Sequence, residues 1–341
     1  MNPQTYVYNF GIQRELPFDL IADVAYVGSR GTRLFINEQL NPGIGGFNTL
    51  SRAFANRGSV LARTNGGDSS YNSLQARLDR GFKSGLLLRF AYTFSKAIDD
   101  VASEVFATTG GSGFGSDPFN RRVDRSLSSF DVPHRFVATF IYDVPSPGKS
   151  GFVHALFGGY SLAGTYRLQS GNVQSPFVGG IDLNGDGSAV NDRPVISNPN
   201  APANSVGFSN FIAENFISGV TSRTGFSDLN GNPVNPSDVR FLVSESLRER
   251  IAGRNILRGP RQNRLDLSLT KAINFGFTRL EADRFEIRFD YFNAFNTPQF
   301  GPGTGDVTDT TFNDFRFNSG NLNIGNVNAG RIGQFQLRYV F

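Results

Sequence analysis

Apolar and polar residues alternate with a period of two along much of the chain. In the first such segment, one set of alternate positions holds Tyr6, Tyr8, Phe10 and Ile12. Successive side chains of a β-strand point to opposite faces, so the alternation predicts strands with one apolar and one polar face. Nine segments show this pattern, near residues 5–13, 20–29, 74–79, 86–95, 135–142, 160–169, 264–270, 285–291 and 334–341.

The connections between these segments are predicted to alternate in length. Short turns follow the first, third, fifth and seventh segments, as at residues 145–148. Long loops follow the second, fourth, sixth and eighth, and three of them cover about 37–69, 99–130 and 172–260. The last of these reads as irregular, with a short helix predicted near 245–251. Short periplasmic turns and long extracellular loops are typical of bacterial outer-membrane barrels.

Strand length and aromatic placement favour the same class. Each predicted strand, with its ends, is about 10–13 residues long, which suits a tilted strand that crosses a bilayer, whereas strands of soluble proteins are nearer 5–6. Aromatic residues recur at the segment ends, where an interfacial girdle would lie: Tyr26, Tyr92, Tyr142, Tyr291 and Tyr339. The sequence therefore predicts an all-β fold, an antiparallel transmembrane β-barrel.

The number of strands predicts a partial barrel. A complete single-chain bacterial barrel has an even number of strands, and an open sheet leaves two edges with unpaired backbone groups, which lipid does not tolerate. We therefore expect residues 1–341 to supply about 9–10 strands at the C-terminal end of a larger barrel. The first residues lack the basic and apolar regions of an export signal.

Composition excludes several other classes. The chain has no Cys, 34 Phe and 39 Gly, and 18% of its residues are charged. Disulfide scaffolds, Cys-ligated metal sites and thiol enzymes all need cysteine, and a disordered tail would not carry 13% aromatic residues. The net charge is +4, but the basic residues are scattered singly, so we expect no nucleic-acid partner.

Five motifs resemble those of Oar-like TonB-dependent receptors. They are YTFSKAID at 92–99, DVPHRF at 131–136, GRN at 253–255, FNAFNTPQF at 292–300 and FQLRYVF at 335–341. The last resembles the C-terminal outer-membrane signal, with alternating apolar residues and an aromatic end: Phe335, Leu337, Tyr339 and Phe341. The resemblance spans nearly the whole chain.

The resemblance implies a barrel of about 22 strands with a plug. It also implies uptake of a bulky, unidentified solute across the outer membrane of a Gram-negative bacterium, or a surface adhesion role. Neither a plug domain nor a TonB box is recognisable in this sequence. The implied partners are outer-membrane lipid, the barrel-assembly machinery and, if an N-terminal plug is present, TonB.

A short acidic motif suggests calcium. Asp182, Asn184 and Asp186 place oxygen ligands at alternate positions before a glycine, and Asp192 follows nearby. Calcium takes six to eight oxygen ligands around such a tight turn. The EF-hand pattern needs Glu at its twelfth position, where this chain has Arg193. The alternative is a surface turn that its own side chains stabilise. No other cofactor is expected.

The sequence does not predict an enzyme. Its two histidines are His134 and His154, and although Asp131 lies near His134, no G-x-S-x-G motif accompanies them. The glycine-rich segments 110–115 and 301–306 do not match a phosphate-binding loop and are expected to be flexible external loops.

Charged residues lie on the polar faces of the predicted strands. Those expected to face the lumen are Arg89, Arg135, Arg167, Arg264, Asp266, Glu286, Arg288 and Asp290. One interpretation is a lumen that docks a plug or guides a solute. The other is a cross-strand network that holds the wall, which we favour because opposite charges lie near one another.

Three functional hypotheses follow. The first is an outer-membrane segment of an Oar-like receptor that takes part in solute uptake. The second is a surface-exposed β-sheet adhesin whose loops bind carbohydrate or matrix, in which case the apolar rows would pack on one another. The third, a passive porin, would need closure of the barrel by this chain or by an oligomer.

Overall fold

Nine long strands form one antiparallel sheet in the computed structural model. It describes residues 2–43, 52–58, 60–100, 115–117, 119–147, 152–185, 188–189, 191–245, 251–274, 284–301, 303–314 and 330–340. The strands are β1 (Gln4–Leu16), β2 (Leu20–Gln39), β3 (Leu61–Lys83), β4 (Leu86–Asp99), β5 (His134–Asp143), β6 (Tyr160–Gln169), β7 (Gln262–Asn274), β8 (Arg284–Phe292) and β9 (Ile332–Val340). Each pairs with its neighbours in chain order, which confirms the all-β prediction.

The register separates the residues of this sheet, which we call the wall, into two faces. Directly paired residues share a face, and pairs such as Phe10↔Tyr26, Phe90↔Ala138 and Leu269↔Phe289 continue one apolar face from β1 to β9. The opposite, polar face carries all eight charged residues predicted above. The register thus confirms the period-two pattern in the segments where the sequence predicts strands.

The turns at one end of the wall differ in length. Residues 17–19 join β1 to β2, and Ser84 and Gly85 alone join β3 to β4. Both of the latter have positive φ, the geometry that matches the strand twist in a two-residue hairpin. The predicted short turn after the fifth strand is wrong, since residues 144–159 lie there and include the helix α1 (Phe152–Phe157). The connection at 275–283 lies outside the described residues.

Strands β2 and β3 are longer than predicted. They run 20 and 23 residues and take in both ends of the segment 37–69, which the sequence predicts as a loop. The extension is rich in Gly, Ser and Asn, and its pairing rests on backbone hydrogen bonds that need no apolar alternation. Register shifts near Leu34 show that this extension is irregular. Ser126–Leu127, in the predicted loop 99–130, also pairs with β4.

The segment 172–260, predicted as irregular, contains ordered short elements. A four-stranded sheet joins Phe226–Ser227, Val206–Ser209, Phe241–Val243 and Val195–Ile196, and Val173–Gln174 pairs with Leu257–Arg258. The helix α2 (Asn210–Ala213) and the 3₁₀ turns Arg121–Asp124 and Pro236–Asp238 complete the connections. The helix predicted near 245–251 falls mostly on residues outside the described part of the chain.

A buried apolar core lies in these connections, which we call the loop body (residues 115–131, 172–258 and 303–314). Phe208, Phe241 and Val243 are fully buried in it, together with Val178 and Val307 from distant segments. Of the buried hydrophobic residues in the described chain, Ile36 alone belongs to the wall. The loop body therefore buries apolar residues in an interior, as water-soluble domains do, whereas the wall does not.

The wall exposes its apolar face instead of burying it. Phe10 is 70% exposed, Phe335 67% and Leu337 62%, and they belong to rows of similarly exposed residues. An apolar surface of this extent marks a contact with membrane or protein. Among the described residues, no helix is both long and apolar enough to span a membrane.

We expect Phe289→Arg to impair insertion of the wall into a membrane. Phe289 lies mid-strand on the apolar face, opposite Leu269 and Phe335. If this face contacts lipid, an arginine there costs about 2–4 kcal/mol near the bilayer midplane. The measurement is the fraction of chain that resists urea extraction from membranes. Ser268→Arg is the matched control because Ser268 lies at similar height on the polar face, opposite Asp290. Equal losses for both variants would contradict the assignment of faces.

Candidate functional site

The polar face carries a repeated pairing of arginine with an acid two residues later. Arg264 Nε lies 2.8 Å from Asp266 Oδ1, Arg284 Nε 2.7 Å from Glu286 Oε1, and Arg288 Nε 2.8 Å from Asp290 Oδ1. Residues i and i+2 of a strand share a face, so each strand can pair its own charges. Most of these acids are largely buried.

One acid also joins two strands. Asp79 accepts a hydrogen bond from Arg77 on its own strand and another from Arg89 of β4, at 3.0 Å. Asp266 in turn accepts from the backbone N–H of Asn293, at 2.9 Å, after the end of β8. Among the described residues, the ion pairs of this face lie more often within a strand than across strands, whereas the sequence predicted a cross-strand network.

Arg135 and Arg167 differ from the other predicted charges. In the part of the chain that the structure describes, the ion pairs include neither of them. Arg135 lies opposite Thr93 and Gln169, and Arg167 lies opposite Arg264. Because the ion pairs of the described residues leave Arg135 and Arg167 out, these positions carry an excess of positive charge on the polar face of β5 to β7. Like charges directly opposite each other, as at Arg167 and Arg264, also repel.

Three arginines of the loop body bind carboxylates beside the strand ends. Arg258 Nη2 donates to Asp131 Oδ2 at 2.5 Å, and its Nη1 donates to the carbonyl of Gly171 at 2.9 Å. The Asp131 side chain is 1% exposed, and its other oxygen accepts from the backbone N–H of Ala97. One carboxylate therefore joins β4, the start of β5 and the approach to β7.

A second contact lies at the end of β4. The Arg254 guanidinium pairs with the Asp99 carboxylate and donates to the Asp99 and Asp124 carbonyls, at 2.9 and 3.1 Å. The neighbouring Asn255 has φ 56° and donates its amide to the carbonyl of Leu127, at 2.7 Å. Positive φ is easier for Asn than for most residues. It turns the chain so that the side chains of both Arg254 and Asn255 reach the end of β4 and the segment paired with it.

The third contact is the most buried. Arg193 Nη2 lies 2.9 Å from Asp124 Oδ1, and the two side chains are 3% and 8% exposed. Burial lowers the pKa of the Arg193 guanidinium, and the negative charge of Asp124 opposes that shift. Asp124 also accepts from the backbone N–H and hydroxyl of Ser116. Arg254 reaches the wall directly through Asp99, and Asp131 reaches it through the N–H of Ala97, whereas Arg193 and Asp124 pair within the loop body. We call these three contacts the anchors.

Sequence reasoning did not predict this set of anchors. Asp99, Asp131 and Arg254 do occur within motifs that carry the family resemblance, which is a signal that these positions are special. Their pairing was not readable because the partners are far apart, for example 127 residues between Asp131 and Arg258.

The acidic motif forms a hydrogen-bonded turn. Asp182 Oδ1 accepts from the backbone N–H of Gly185 at 2.7 Å, and Asp192 Oδ2 accepts from that of Leu183 at 2.5 Å. Asn184 donates its amide to the carbonyl of Ser116. Asp186 lies outside the described residues, and within them no group of three or more His, Asp or Glu side chains is placed to hold a metal ion. Calcium at this turn stays a prediction.

The histidines are in separate places. His134 Nδ1 lies 2.8 Å from the Tyr92 hydroxyl, and His154 Nδ1 lies 2.7 Å from the Ser146 hydroxyl. Asp131, which the sequence places near His134, binds Arg258 and Ala97. Residues 303–306 of the second glycine-rich segment belong to the loop body, where Asp306 accepts from the N–H of Gly179 at 2.9 Å.

The predicted C-terminal signal lies on β9. Phe335, Leu337 and Tyr339 occupy its apolar face and are 67%, 62% and 45% exposed. Phe341 lies outside the described residues. The three described side chains therefore continue the apolar surface to the last strand.

We expect Arg258→Gln to loosen the loop body. It leaves the buried Asp131 carboxylate without its charged partner, which costs about 2–3 kcal/mol of local stability. The measurement is the rate of chymotrypsin cleavage within 172–260 under native conditions. The matched control is Arg223→Gln, because Arg223 pairs with Glu214 in the same body but is 69% exposed. That exposed pair contributes at most about 1 kcal/mol. If the two variants are cleaved at the same rate, Asp131 and Arg258 do not anchor the loop body.

Comparison with known families agrees with this architecture. The outer membrane beta barrel domain model matches residues 1–334. A comparison with curated proteins gives no match. The family match supports the predicted localisation, the outer membrane of Gram-negative bacteria. Barrels of this class carry an outward apolar band that faces lipid, and we expect the same of the exposed apolar face. Because the matched region covers nearly the whole sequence, the chain belongs to the outer membrane beta barrel domain family.

Proposed function

We propose that this chain forms wall and loops of an Oar-like TonB-dependent receptor and takes part in the uptake of a bulky solute. One observation carries the proposal. Three of the motifs that resemble this family meet in the anchors, since Asp99, Asp131 and Arg254 come from different motifs and all hold the loop body to the strand ends. These motifs then have a shared purpose, which is to position the loops.

A positioned loop body suits solute capture. A surface that is already ordered loses less entropy when it binds a ligand than flexible loops would. Its buried core and its three anchors supply that order. The proposal assigns binding and passage to this chain and gives it no catalytic role.

Arg135 and Arg167 are the residues that we assign to the solute. The paired charges of the polar face stabilise the wall, whereas these two leave an excess of positive charge there. Rings and rows of arginine in a water-filled passage favour anions. The proposed solute therefore carries acidic groups.

Two partners belong to the proposal. TonB would energise uptake through an N-terminal plug, if the full receptor has one. The barrel-assembly machinery would recognise the apolar row of β9, which includes Phe335, Leu337 and Tyr339.

Loss of this chain should abolish uptake of a bulky acidic solute. The probe is a size-graded set of fluorescent acidic oligosaccharides and oligopeptides, supplied to cells with the chain's gene disrupted and to cells without TonB activity. Both strains should fail to accumulate the same probe because they lack either the passage or its energy source.

Complementation separates passage from folding. The double variant Arg135→Gln/Arg167→Gln should reach the outer membrane at normal level but restore little uptake of the acidic probe. Arg223→Gln, which changes an exposed pair of the loop body and not the polar face, should restore it fully. Normal uptake in the disrupted strain would contradict the proposal. Loss of surface binding to carbohydrate or matrix without loss of uptake would instead indicate an adhesin.

A further inference from the structure

The helix α1 presents an apolar surface that the wall does not cover. Phe152 is 81% exposed, Phe157 57%, Val153 54% and Leu156 48%. At 3.6 residues per turn these four side chains lie within an arc of about 140°. His154 falls outside the arc and contacts Ser146. A six-residue helix with such a surface needs another contact to hold it in place.

Lys271 fixes this helix on the lipid side of the wall. Lys271 pairs in register with Tyr160 and Ile287, so it belongs to the apolar face. Its ammonium donates to the carbonyl of Ala155 at 2.8 Å and also to that of Gly158. Helix C-termini attract cations because their last carbonyls lack partners within the helix. The helix therefore lies beside the apolar face and not beside the polar face.

The surroundings of Lys271 resemble a membrane interface. Its ammonium lies 4.5 Å from the centre of the Tyr160 ring. Tyr and Lys at this level are typical of the headgroup region, where an apolar stem or ring remains in lipid and the polar group meets water. The exposed surface of α1 thus continues the lipid-contacting face of the wall at the end that carries the short turns.

We propose that α1 is an interfacial anchor, with Phe152, Val153, Leu156 and Phe157 inserted among lipid chains just below the headgroups. Lys271 is its positioning residue. The occupant of the apolar surface is the membrane leaflet at the short-turn end of the wall. Amphipathic helices bind in this way when their apolar side enters the acyl boundary and their polar side stays in the headgroups.

Single cysteines test the proposal, since the chain has no native cysteine. Phe152→Cys and Phe157→Cys report on the apolar surface, and Thr221→Cys in the loop body is the reference for water. Each is labelled with an environment-sensitive fluorophore in outer membranes from producing cells, and membranes with the cysteine-free chain supply the background. Spin-labelled lipid quenches from the bilayer, and iodide quenches from water.

We expect labels at 152 and 157 to be quenched by lipid that carries its spin label near the headgroup, and to resist quenching by iodide. The label at 221 should be quenched by iodide and not by spin-labelled lipid. Lys271→Gln should reduce lipid quenching at 152 without lowering the amount of chain in the membrane. Quenching by iodide at 152 and 157 would overturn the proposal. Protection from both quenchers would also overturn it, because a protein contact would then cover the helix.

Discussion

The register of the nine-stranded wall is the constraint on which the other features depend. Since neighbouring residues of a strand face opposite ways, one choice of pairing sends the long apolar rows to one face and the arginine–acid pairs to the other. A slip of one residue would move Arg264, Asp266 and Arg288 into lipid, and arginine alone costs about 2–4 kcal/mol near mid-bilayer. Tight turns such as Ser84–Gly85 fix the register at one end, and the anchors fix the geometry at the other.

The loop body differs from the wall in where its apolar residues lie. It buries Phe208 and Phe241 away from solvent, whereas the wall leaves its apolar residues exposed. In the described residues, charged contacts join the two parts: Arg254 pairs with Asp99 of β4, and Asp131 accepts from the backbone N–H of Ala97. Such partly buried contacts add little net stability, but they define the direction and distance between the loop body and the wall. They suit loops that hold one position relative to the strand ends.

Local patterns in the sequence predicted the wall, and non-local contacts explain what was missed. Alternation identified nine strands and the face of each charged residue because both depend on neighbouring positions. It did not show that β3 begins at Leu61, since backbone pairing needs no apolar side chains. The core of the loop body brings Val178 to Val307, a contact that no period in the sequence indicates. The pairing of Arg288 with Asp290 lies within one strand, whereas the sequence predicted charge pairs across strands.

Polar residues on the apolar face mark the height of the lipid-contacting band. On β4 the apolar row runs from Leu86 to Phe94 and is followed on that face by Lys96, opposite Asn72. That interval is about 27 Å along the strand, and a tilt of about 40° leaves about 20 Å, comparable with the band of outer-membrane barrels. The extension of β2 and β3 therefore stands outside the bilayer, on the side of the loop body. Lys271 marks the other boundary of the apolar band. The helix α1, which Lys271 binds, therefore lies at the membrane interface.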